Sequence, residues 1–323
     1  MRAWVCHHLS DDRSGLRFES HWRDPPEPGP NQLRVRLTAA ALNYPDLLML
    51  SGGYQFRPEL PFIPGVEACG VIDEVGEGLL GDLIGERVIV GARSGALAEL
   101  ITVDAAQVRP TPHNLHDDEA AAHTVGALTA YVALVARGRL ATGERLLVLG
   151  AGGGMGLAAI GVAKALGAKV VAETSDAAKL EAIRAAGADD VQLIDREAPD
   201  LAALKGAIDL VFDPIGGPAF EPALRTLAWN GRYLVVGFVA GQPAALPLNR
   251  TLLKGIEVIG VRAGEHGRQD PAAGAEGQRA IDALAENGLK PHIGLRVPLE
   301  RADELFAAMA AGTIVGKGVA VIG

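Results

Sequence analysis

A glycine-rich turn between a short apolar run and a helical pattern is the clearest sign of chemistry in the sequence. Residues 146–149 are a candidate buried strand, and residues 155–166 are a candidate helix. Between them, the pattern small-x-Gly-x-x-Gly permits a tight turn, a close approach of main chain to a pyrophosphate, and close helix–sheet packing. The unpaired N–H groups of the helix N-terminus would bind the same anion. We therefore predict a dinucleotide-binding site formed by Ala151, Gly152, Gly153, Gly154, Met155 and Gly156.

The end of the next candidate strand bears on which dinucleotide is bound. NAD-specific sites place an acidic residue there, which accepts a hydrogen bond from the ribose 2′-hydroxyl. If Thr174 occupies that position the carboxylate is missing, while Ser175 and Lys179 could contact a 2′-phosphate. Alternatively, Glu173 is the acid and Lys179 is a solvated helix charge. We favour NADP over NAD, although Glu173 and Asp195 would place two carboxylates near the phosphate.

The elements that would position these residues divide the chain into two parts. Residues 1–110 show short strands separated by dense Gly and Pro turns, which is typical of a β-rich, barrel-like unit. From about residue 120, strands and helices alternate, which predicts right-handed crossovers and a doubly wound parallel sheet. We expect an α/β protein with a β-rich domain from residues 1–120 and 266–323, and a dinucleotide-binding domain from residues 121–265.

Composition argues against several other function classes. The 323 residues include 30 basic and 39 acidic side chains, and the net charge of −9 disfavours nucleic acid and anionic membranes as partners. Two cysteines cannot supply a disulfide framework or a four-thiolate zinc site. The uncharged run 146–163 contains six glycines, which favour a strand, a turn and a buried helix over a membrane span. The first residues lack the apolar core of a signal peptide, so we expect a cytoplasmic protein.

With these elements in place, the chain resembles the quinone oxidoreductase (zeta-crystallin-like) branch of the zinc-independent medium-chain dehydrogenase/reductase family. The resemblance covers essentially the whole length, and it rests on several ordered sequence blocks rather than on any single one. The blocks are residues 43–48 (NYPDLL), 51–54 (SGGY), 64–71 (PGVEACGV), 127–131 (ALTAY), 151–156 (AGGGMG), 213–217 (DPIGG) and 231–238 (GRYLVVGF). It implies a GroES-like catalytic domain, a Rossmann domain that binds NADPH, an active site in the cleft between them, and a homodimer. The apolar strand 256–261 is a candidate edge that could pair with its symmetry mate.

The resemblance also implies roles for individual residues. Asn43 and Tyr54 match catalytic positions that line the substrate cleft, where they would hydrogen-bond the acceptor oxygen, with Tyr54 a candidate proton donor. Further positions match residues near the cofactor, namely Thr129, Gly237, Phe238, Arg262 and Lys317. Other interpretations are open for four of these positions: a turn tyrosine packed on the barrel (54), a hydroxyl bonded to its own helix (129), a surface salt bridge (262) and a solvated strand residue (317).

The same comparison bears on metal and substrate. Zinc-dependent members have Cys where Asn43 falls and His where Val66 falls, and neither residue present is a good zinc ligand, so we expect metal-free catalysis. The cofactor would deliver hydride to a quinone, which spreads the negative charge onto its own oxygens. Two alternatives are open: reduction of an activated C=C bond in an enoyl thioester, a 2-alkenal or a similar enone, and a non-enzymatic protein that only binds the cofactor.

Overall fold

The computed structural model describes residues 1–241 and 243–323, and its contacts divide the chain into two compact units. Unit 1 comprises Met1–Val125 and Ile293–Gly323, and unit 2 comprises Gly126–His292. Unit 1 is rich in antiparallel strands, whereas unit 2 contains a wholly parallel sheet with helices. The predicted fold class is therefore confirmed.

The strands and helices follow one another in the order expected of a β-rich unit interrupted by an α/β unit. In chain order they are β1 (Ala3–Cys6), β2 (Leu16–Glu19), β3 (Gln32–Ala41), α1 (Tyr44–Ser51), β4 (Glu67–Val75), β5 (Arg87–Gly91), β6 (Leu100–Asp104), β7 (Val108–Pro110), α2 (Asp117–Tyr131), β8 (Arg145–Val148), α3 (Gly154–Ala165), β9 (Lys169–Thr174), α4 (Leu180–Ala185), β10 (Asp190–Leu193), β11 (Ile208–Asp213), α5 (Phe220–Thr226), β12 (Leu227–Val235), α6 (Asn249–Lys254), β13 (Glu257–Gly260), α7 (Ala263–Gln269), α8 (Pro271–Glu286), β14 (Ile293–Pro298), α9 (Ala302–Ala311) and β15 (Lys317–Val321).

Strand β3 organises unit 1. Its side chains alternate between the two faces, so that Leu33, Val35 and Leu37 are buried in the core of the unit. It pairs antiparallel with β4, β6 and β15 in a seven-stranded sheet of order β14-β15-β3-β4-β5-β7, with β6 added on β3. Because neighbouring strands run in opposite directions, the end of β3 meets the beginning of β4 and of β15 at one edge of the sheet.

Unit 2 is the predicted doubly wound sheet. Its six parallel strands lie in the order β10-β9-β8-β11-β12-β13, so the chain reverses direction across the sheet after β10. The uncharged run 146–163 resolves into the end of strand β8, a turn and helix α3, which confirms that interpretation of the run. The carboxyl ends of parallel strands lie at one edge, where ligands of such sheets bind.

The second boundary between the compact units lies at residue 292, whereas the predicted domain boundary lies at residue 265. Helix α8 belongs to unit 2 because its apolar side is buried there. Ile281 and Ala285 are fully buried, and Leu284 and the following Leu289 pack against the core cluster of the parallel sheet. The first boundary lies at residue 125, near the predicted 120.

One helical stretch within the described residues, Asp117–Arg137, is long and apolar enough to cross a membrane by length and composition. It comprises α2 and a π-helical continuation. More than half of its apolar window, 56%, is buried inside the structure. A core helix of a soluble protein has the same length and composition, so this stretch is weak evidence for a membrane span.

Candidate functional site

The glycine turn of unit 2 has the geometry that a pyrophosphate site requires. Gly150 follows β8 with a φ of 59°, a left-handed conformation that glycine adopts without strain. Gly153 is the N-cap residue of α3, and a Cβ added to it would meet no atom closer than 3.7 Å. A Cβ on Gly156 would instead lie 2.6 Å from the Cα atom of Ala151. The turn is therefore tight at Gly150, open at Gly153 and closely packed at Gly156.

The carboxylate of Glu173 supports this turn from β9. The Oε2 atom of the side chain accepts a hydrogen bond of 2.9 Å from the N–H of Gly150. The backbone carbonyl oxygen of Glu173 accepts another, of 2.8 Å, from the N–H of Ala151. Burial raises the pKa of this carboxyl, and nearby Asp213 raises it further, while the Gly150 hydrogen bond and Arg196 lower it. The buried side chain of Glu173 thus holds the turn, so it is not the exposed strand-end acid that a ribose 2′-hydroxyl requires.

A basic cluster lies at the carboxyl end of β9. Ser175 is exposed there, and its hydroxyl lies 3.4 Å from the Nε atom of Arg196. The stem of Lys179 packs over Gly152, and its ammonium lies 3.9 Å from a carboxylate oxygen of Asp176. Burial is the main cause that lowers the pKa of Lys179, and the positive charge of Arg196 lowers it as well.

Arg196 is absent from the sequence-based prediction of this cluster. It follows the short strand β10, which pairs with β9, so both strands end at the same edge. Recognising residues 190–193 as a strand would have placed Arg196 beside Ser175.

Two further strand ends meet beside the turn. The carboxylate of Asp213, at the end of β11, accepts hydrogen bonds from the N–H groups of Ile215 and Gly216 and from the hydroxyl of Tyr233. Burial raises the pKa of Asp213. The N–H of Gly237, after β12, also donates to the carbonyl oxygen of Asp213. The predicted cofactor residues Gly237 and Phe238 therefore lie at the same sheet edge as the glycine turn.

Two other predicted cofactor residues occupy less distinctive positions in unit 2. Thr129 is half-buried on α2. Arg262 is exposed and its guanidinium lies 3.7 Å from a carboxylate oxygen of Glu265, in the surface salt bridge that its alternative interpretation describes. Their contact with a cofactor stays a prediction.

In unit 1, three polar side chains meet at the edge where β3 ends. Lys317 begins β15 and Glu67 begins β4, and their charged groups lie 2.6 Å apart. The same ammonium donates to the Oδ1 atom of Asn43 at 2.7 Å, and the Nδ2 atom of Asn43 donates to Glu67 at 2.9 Å. All three residues are buried, so Lys317 is not the solvated strand residue considered as an alternative.

Asp46 lies beside this group on α1 and is fully buried. One carboxylate oxygen accepts the N–H of Asn43 at 2.8 Å, and the other accepts the N–H of Gly65 at 3.1 Å. Burial raises the pKa of this carboxyl to about 7, the two N–H groups and Lys317 lower it, and Glu67 raises it. Asp46 thus ties the backbone of Asn43, the predicted catalytic residue, to that of Gly65.

Tyr54 follows α1 in an irregular segment. Its ring is partly buried against the core of unit 1, and its hydroxyl makes no hydrogen bond within residues 1–241 and 243–323. The ring packing matches the interpretation as a turn tyrosine, and the unbonded hydroxyl leaves the predicted proton donor open.

The residues at this edge do not fit a zinc ion. The amide of Asn43 and the valine at 66 are not the Cys and His that zinc prefers, and Glu67 already accepts hydrogen bonds from an ammonium and an amide. The described part of the chain contains no group of three His, Cys, Asp or Glu residues that could hold a metal.

Comparisons with known proteins agree with this division of the chain. Residues 29–137 match the model of the alcohol dehydrogenase GroES-like domain, and residues 154–287 match that of the zinc-binding dehydrogenase family. Quinone oxidoreductase-like protein 2 of Mus musculus is 34% identical over 295 residues, covering 90% of this chain and 84% of the mouse protein. Acryloyl-coenzyme A reductase of Sulfurisphaera tokodaii is 30% identical over 320 residues, covering 90% and 92%.

A solved structure extends the similarity to the fold. The quinone oxidoreductase of Thermus thermophilus, whose structure includes a complex with NADPH, is 30% identical. It superposes with a TM-score of 0.80 over 99% of this chain and 100% of its own.

The buried carboxyl of Asp46 makes stability depend on pH. Because its pKa is raised from 3.8 to about 7, the folded chain holds this proton more tightly than the unfolded chain. The contribution of Asp46 to the free energy of unfolding is therefore largest below about pH 4 and falls as pH rises to about 7. Asp46→Asn cannot titrate, so we expect urea melts to show wild type losing stability relative to this variant across that range. A difference that stays constant with pH would contradict this assignment. Asp73→Asn, at a half-buried ion pair with Arg34, is the control.

Proposed function

This chain belongs to the quinone oxidoreductase branch of the medium-chain dehydrogenase/reductase family, and from that membership we propose that it reduces quinone-type acceptors with NADPH. Relatives that match nearly its whole length are named as quinone oxidoreductases, and this chain is an oxidoreductase of the same family. When bound, the nicotinamide supplies the hydride. The protein's own groups bind the dinucleotide, orient the acceptor and stabilise the charge that develops on it.

The observation that carries the proposal is the set of donors around Asn43. Asn43, Glu67 and Lys317 form a hydrogen-bonded group whose composition does not suit zinc but can present an amide N–H to an oxygen. A quinone needs no Lewis acid, because the charge it gains is delocalised onto its own oxygens. A hydrogen-bond donor is sufficient assistance for such an acceptor, and on this ground we propose zinc-independent catalysis.

NADPH is proposed as the reductant on the basis of the cluster at the end of β9. This cluster contains two cationic side chains, Lys179 and Arg196, and the hydroxyl of Ser175. Such groups bind a phosphate monoester like the 2′-phosphate of NADPH. The carboxylate of Glu173 does not face a ribose 2′-hydroxyl, because it is buried and accepts a hydrogen bond from Gly150. The open space at Gly153 and the start of α3 suit the pyrophosphate.

Reduction of an activated C=C bond is the second candidate. It is favoured by the similarity to the acryloyl-coenzyme A reductase of Sulfurisphaera tokodaii and by the hydroxyl of Tyr54, which has no hydrogen-bond partner in the described part of the chain. Alkene reduction needs a proton delivered to carbon, which a tyrosine can supply, whereas the oxygens of a reduced quinone take protons from water.

Acceptor preference and one substitution separate the two candidates. We expect NADPH oxidation to be at least tenfold faster, in kcat/KM, with 1,4-benzoquinone than with crotonyl-CoA. Tyr54→Phe removes only the hydroxyl, so quinone reduction should change less than about threefold, while any alkene reduction should fall by about 10²-fold. Steady-state kinetics with both acceptors measure this. Faster turnover of crotonyl-CoA, together with its loss in Tyr54→Phe, would replace the quinone proposal with the alkene one.

The basic cluster predicts a selective cofactor effect. Arg196→Ala removes a charged donor to the 2′-phosphate, so we expect the Kd of NADPH to rise by about tenfold or more and that of NADH to change little. Gly153→Ala fills the pyrophosphate space and should weaken both cofactors alike. Arg184→Ala, an exposed arginine on α4, is the matched control. Equal losses for both cofactors in Arg196→Ala, measured by calorimetry, would refute the assignment.

We also propose a homodimer formed through the β13 edge of the parallel sheet. Among the residues that the structure describes, strand β13 pairs with β12 alone, as the predicted edge strand should. Exposed apolar side chains lie on neighbouring segments: Trp229 approaches Gly255, and Leu248, Leu252 and Leu253 lie on or next to α6. An apolar group of this kind beside an unpaired strand suits a self-complementary interface.

Sedimentation equilibrium tests the dimer. Leu252 is 81% exposed, so Leu252→Glu should leave the fold of the chain intact, as read from its far-UV circular dichroism spectrum, while converting a dimer into a monomer. Leu80→Glu changes a similarly exposed leucine of unit 1 and should leave the dimer intact. A wild-type monomer at micromolar concentration, or a dimer that Leu252→Glu does not weaken, would contradict this interface.

A further inference from the structure

The amide of Asn43 can take only one orientation in this structure. The ammonium of Lys317 has hydrogens to donate and no lone pair, so the atom facing it must be the amide oxygen. The carboxylate of Glu67 can only accept, so the atom facing it must be the amide nitrogen. Rotating the amide by 180° would place NH₂ against the ammonium and the oxygen against the carboxylate. Both contacts would then be repulsive.

The two charged residues are themselves held in place. The Oε2 atom of Glu67 accepts the backbone N–H of Val125 at 2.9 Å, while its Oε1 atom accepts from Lys317 at 2.6 Å and from Asn43. Glu67 and Lys317 are 1% and 7% exposed, so water competes little for these bonds. Glu67 and Lys317 are the first residues of β4 and β15, and both strands pair with β3.

A count of hydrogens shows what remains available. The nitrogen of Asn43 carries two hydrogens, and one is donated to Glu67. The second has no acceptor among the residues that the structure describes. The orientation fixed by Lys317 and Glu67 therefore leaves Asn43 with one N–H to donate to another molecule.

We propose that Lys317 and Glu67 are positioning residues that hold this second N–H of Asn43 toward the acceptor oxygen. The inference rests on the proposed reductase function. Hydride addition, with NADPH oxidised to NADP⁺, places two electrons on the acceptor and a negative charge on its oxygen. The Asn43 N–H stabilises that charge and keeps its proton, and water supplies the proton that completes the reduction. Lys317, predicted from sequence as a cofactor contact, acts here through Asn43.

A double-mutant cycle in kcat tests the coupling. Asn43→Ala removes the donor and should lower kcat by about 10²-fold. Lys317→Met lets the amide rotate and should lower kcat by about tenfold, with the Kd of NADPH unchanged. In the Asn43→Ala background, Lys317→Met should have little further effect, because the group that it positions is gone. Lys317→Arg, which keeps charge and donors, should restore most of the activity.

Two control proteins separate positioning from folding. Lys317→Met leaves the carboxylate of Glu67 buried without its cation, which is destabilising. A double variant that combines Lys317→Met with Glu67→Gln removes both charges. It should fold, and it should show the same loss of kcat as Lys317→Met alone. Arg34→Met breaks a half-buried ion pair between Arg34 of β3 and Asp73 of β4, and it should leave kcat unchanged. Additive losses in the cycle, or a raised Kd of NADPH with kcat unchanged in Lys317→Met, would overturn the proposal.

A spectroscopic measurement tests the orientation without any acceptor. The side-chain NH₂ of Asn43 gives a pair of ¹H–¹⁵N signals, identified by their loss in Asn43→Ala. We expect the hydrogen bonded to Glu67 to be shifted downfield and slow to exchange with solvent in wild type. Both properties should be lost in Lys317→Met with Glu67→Gln, and unchanged signals there would overturn the proposal. If wild type reduces neither quinone nor alkene, the proposed function fails, while these signals still report whether the pair fixes the amide.

Discussion

The buried contact between Glu67 and Lys317 determines the arrangement of the β-rich unit's polar edge. Removing two charges from water is costly, and the cost is offset only when the charges meet each other and their remaining hydrogen-bonding positions are filled. The two charges meet here, Asn43 and the N–H of Val125 also donate to Glu67, and the Oδ1 atom of Asn43 accepts from Lys317. The pair can form only if the last residues of β3 lie beside the first residues of β4 and β15. The antiparallel register of these strands places them there.

Buried carboxylates have a related role in the parallel sheet. Glu173 accepts the N–H of Gly150, and Asp213 accepts those of Ile215 and Gly216, so each anchors a loop at a strand end. No buried cation neutralises them among the described contacts, and burial raises the pKa of both. The backbone N–H groups stabilise these carboxylates through their dipoles and carry no formal charge. A loop held in this way is fixed in shape, yet its outer N–H groups stay available to an anion.

The sequence predicts those parts of the protein whose determinants are local. The turn around Gly153, the strands over residues 146–149 and 170–172, and the helix from residue 155 follow from periodicity and from glycine placement. Contacts between distant segments are not encoded locally. The partners of Lys317, Glu67 and Asn43, lie 250 and 274 residues away in the sequence. Arg196 lies beside Ser175 because it follows β10, a strand of four residues that is too short to show a hydrophobic pattern. The sequence shows an acidic residue, Glu173, near the position that would bind the ribose. Whether its side chain points to the ribose or to the glycine turn depends on which face of β9 packs against the turn.

An ammonium held at this edge differs from a zinc ion in the chemistry it can assist. Zinc accepts a lone pair from a substrate oxygen and so activates a poor hydride acceptor such as a simple carbonyl. The ammonium of Lys317 has no vacant orbital and can act only through charge and hydrogen bonds, one of which fixes Asn43. A protein with this donor set can stabilise developing negative charge but cannot strongly polarise the acceptor beforehand. Under the proposed function, acceptors that are already electron-poor, such as quinones and activated alkenes, suit this donor set better than ketones or aldehydes do, and the proposed role of Tyr54 as proton donor distinguishes between those two classes.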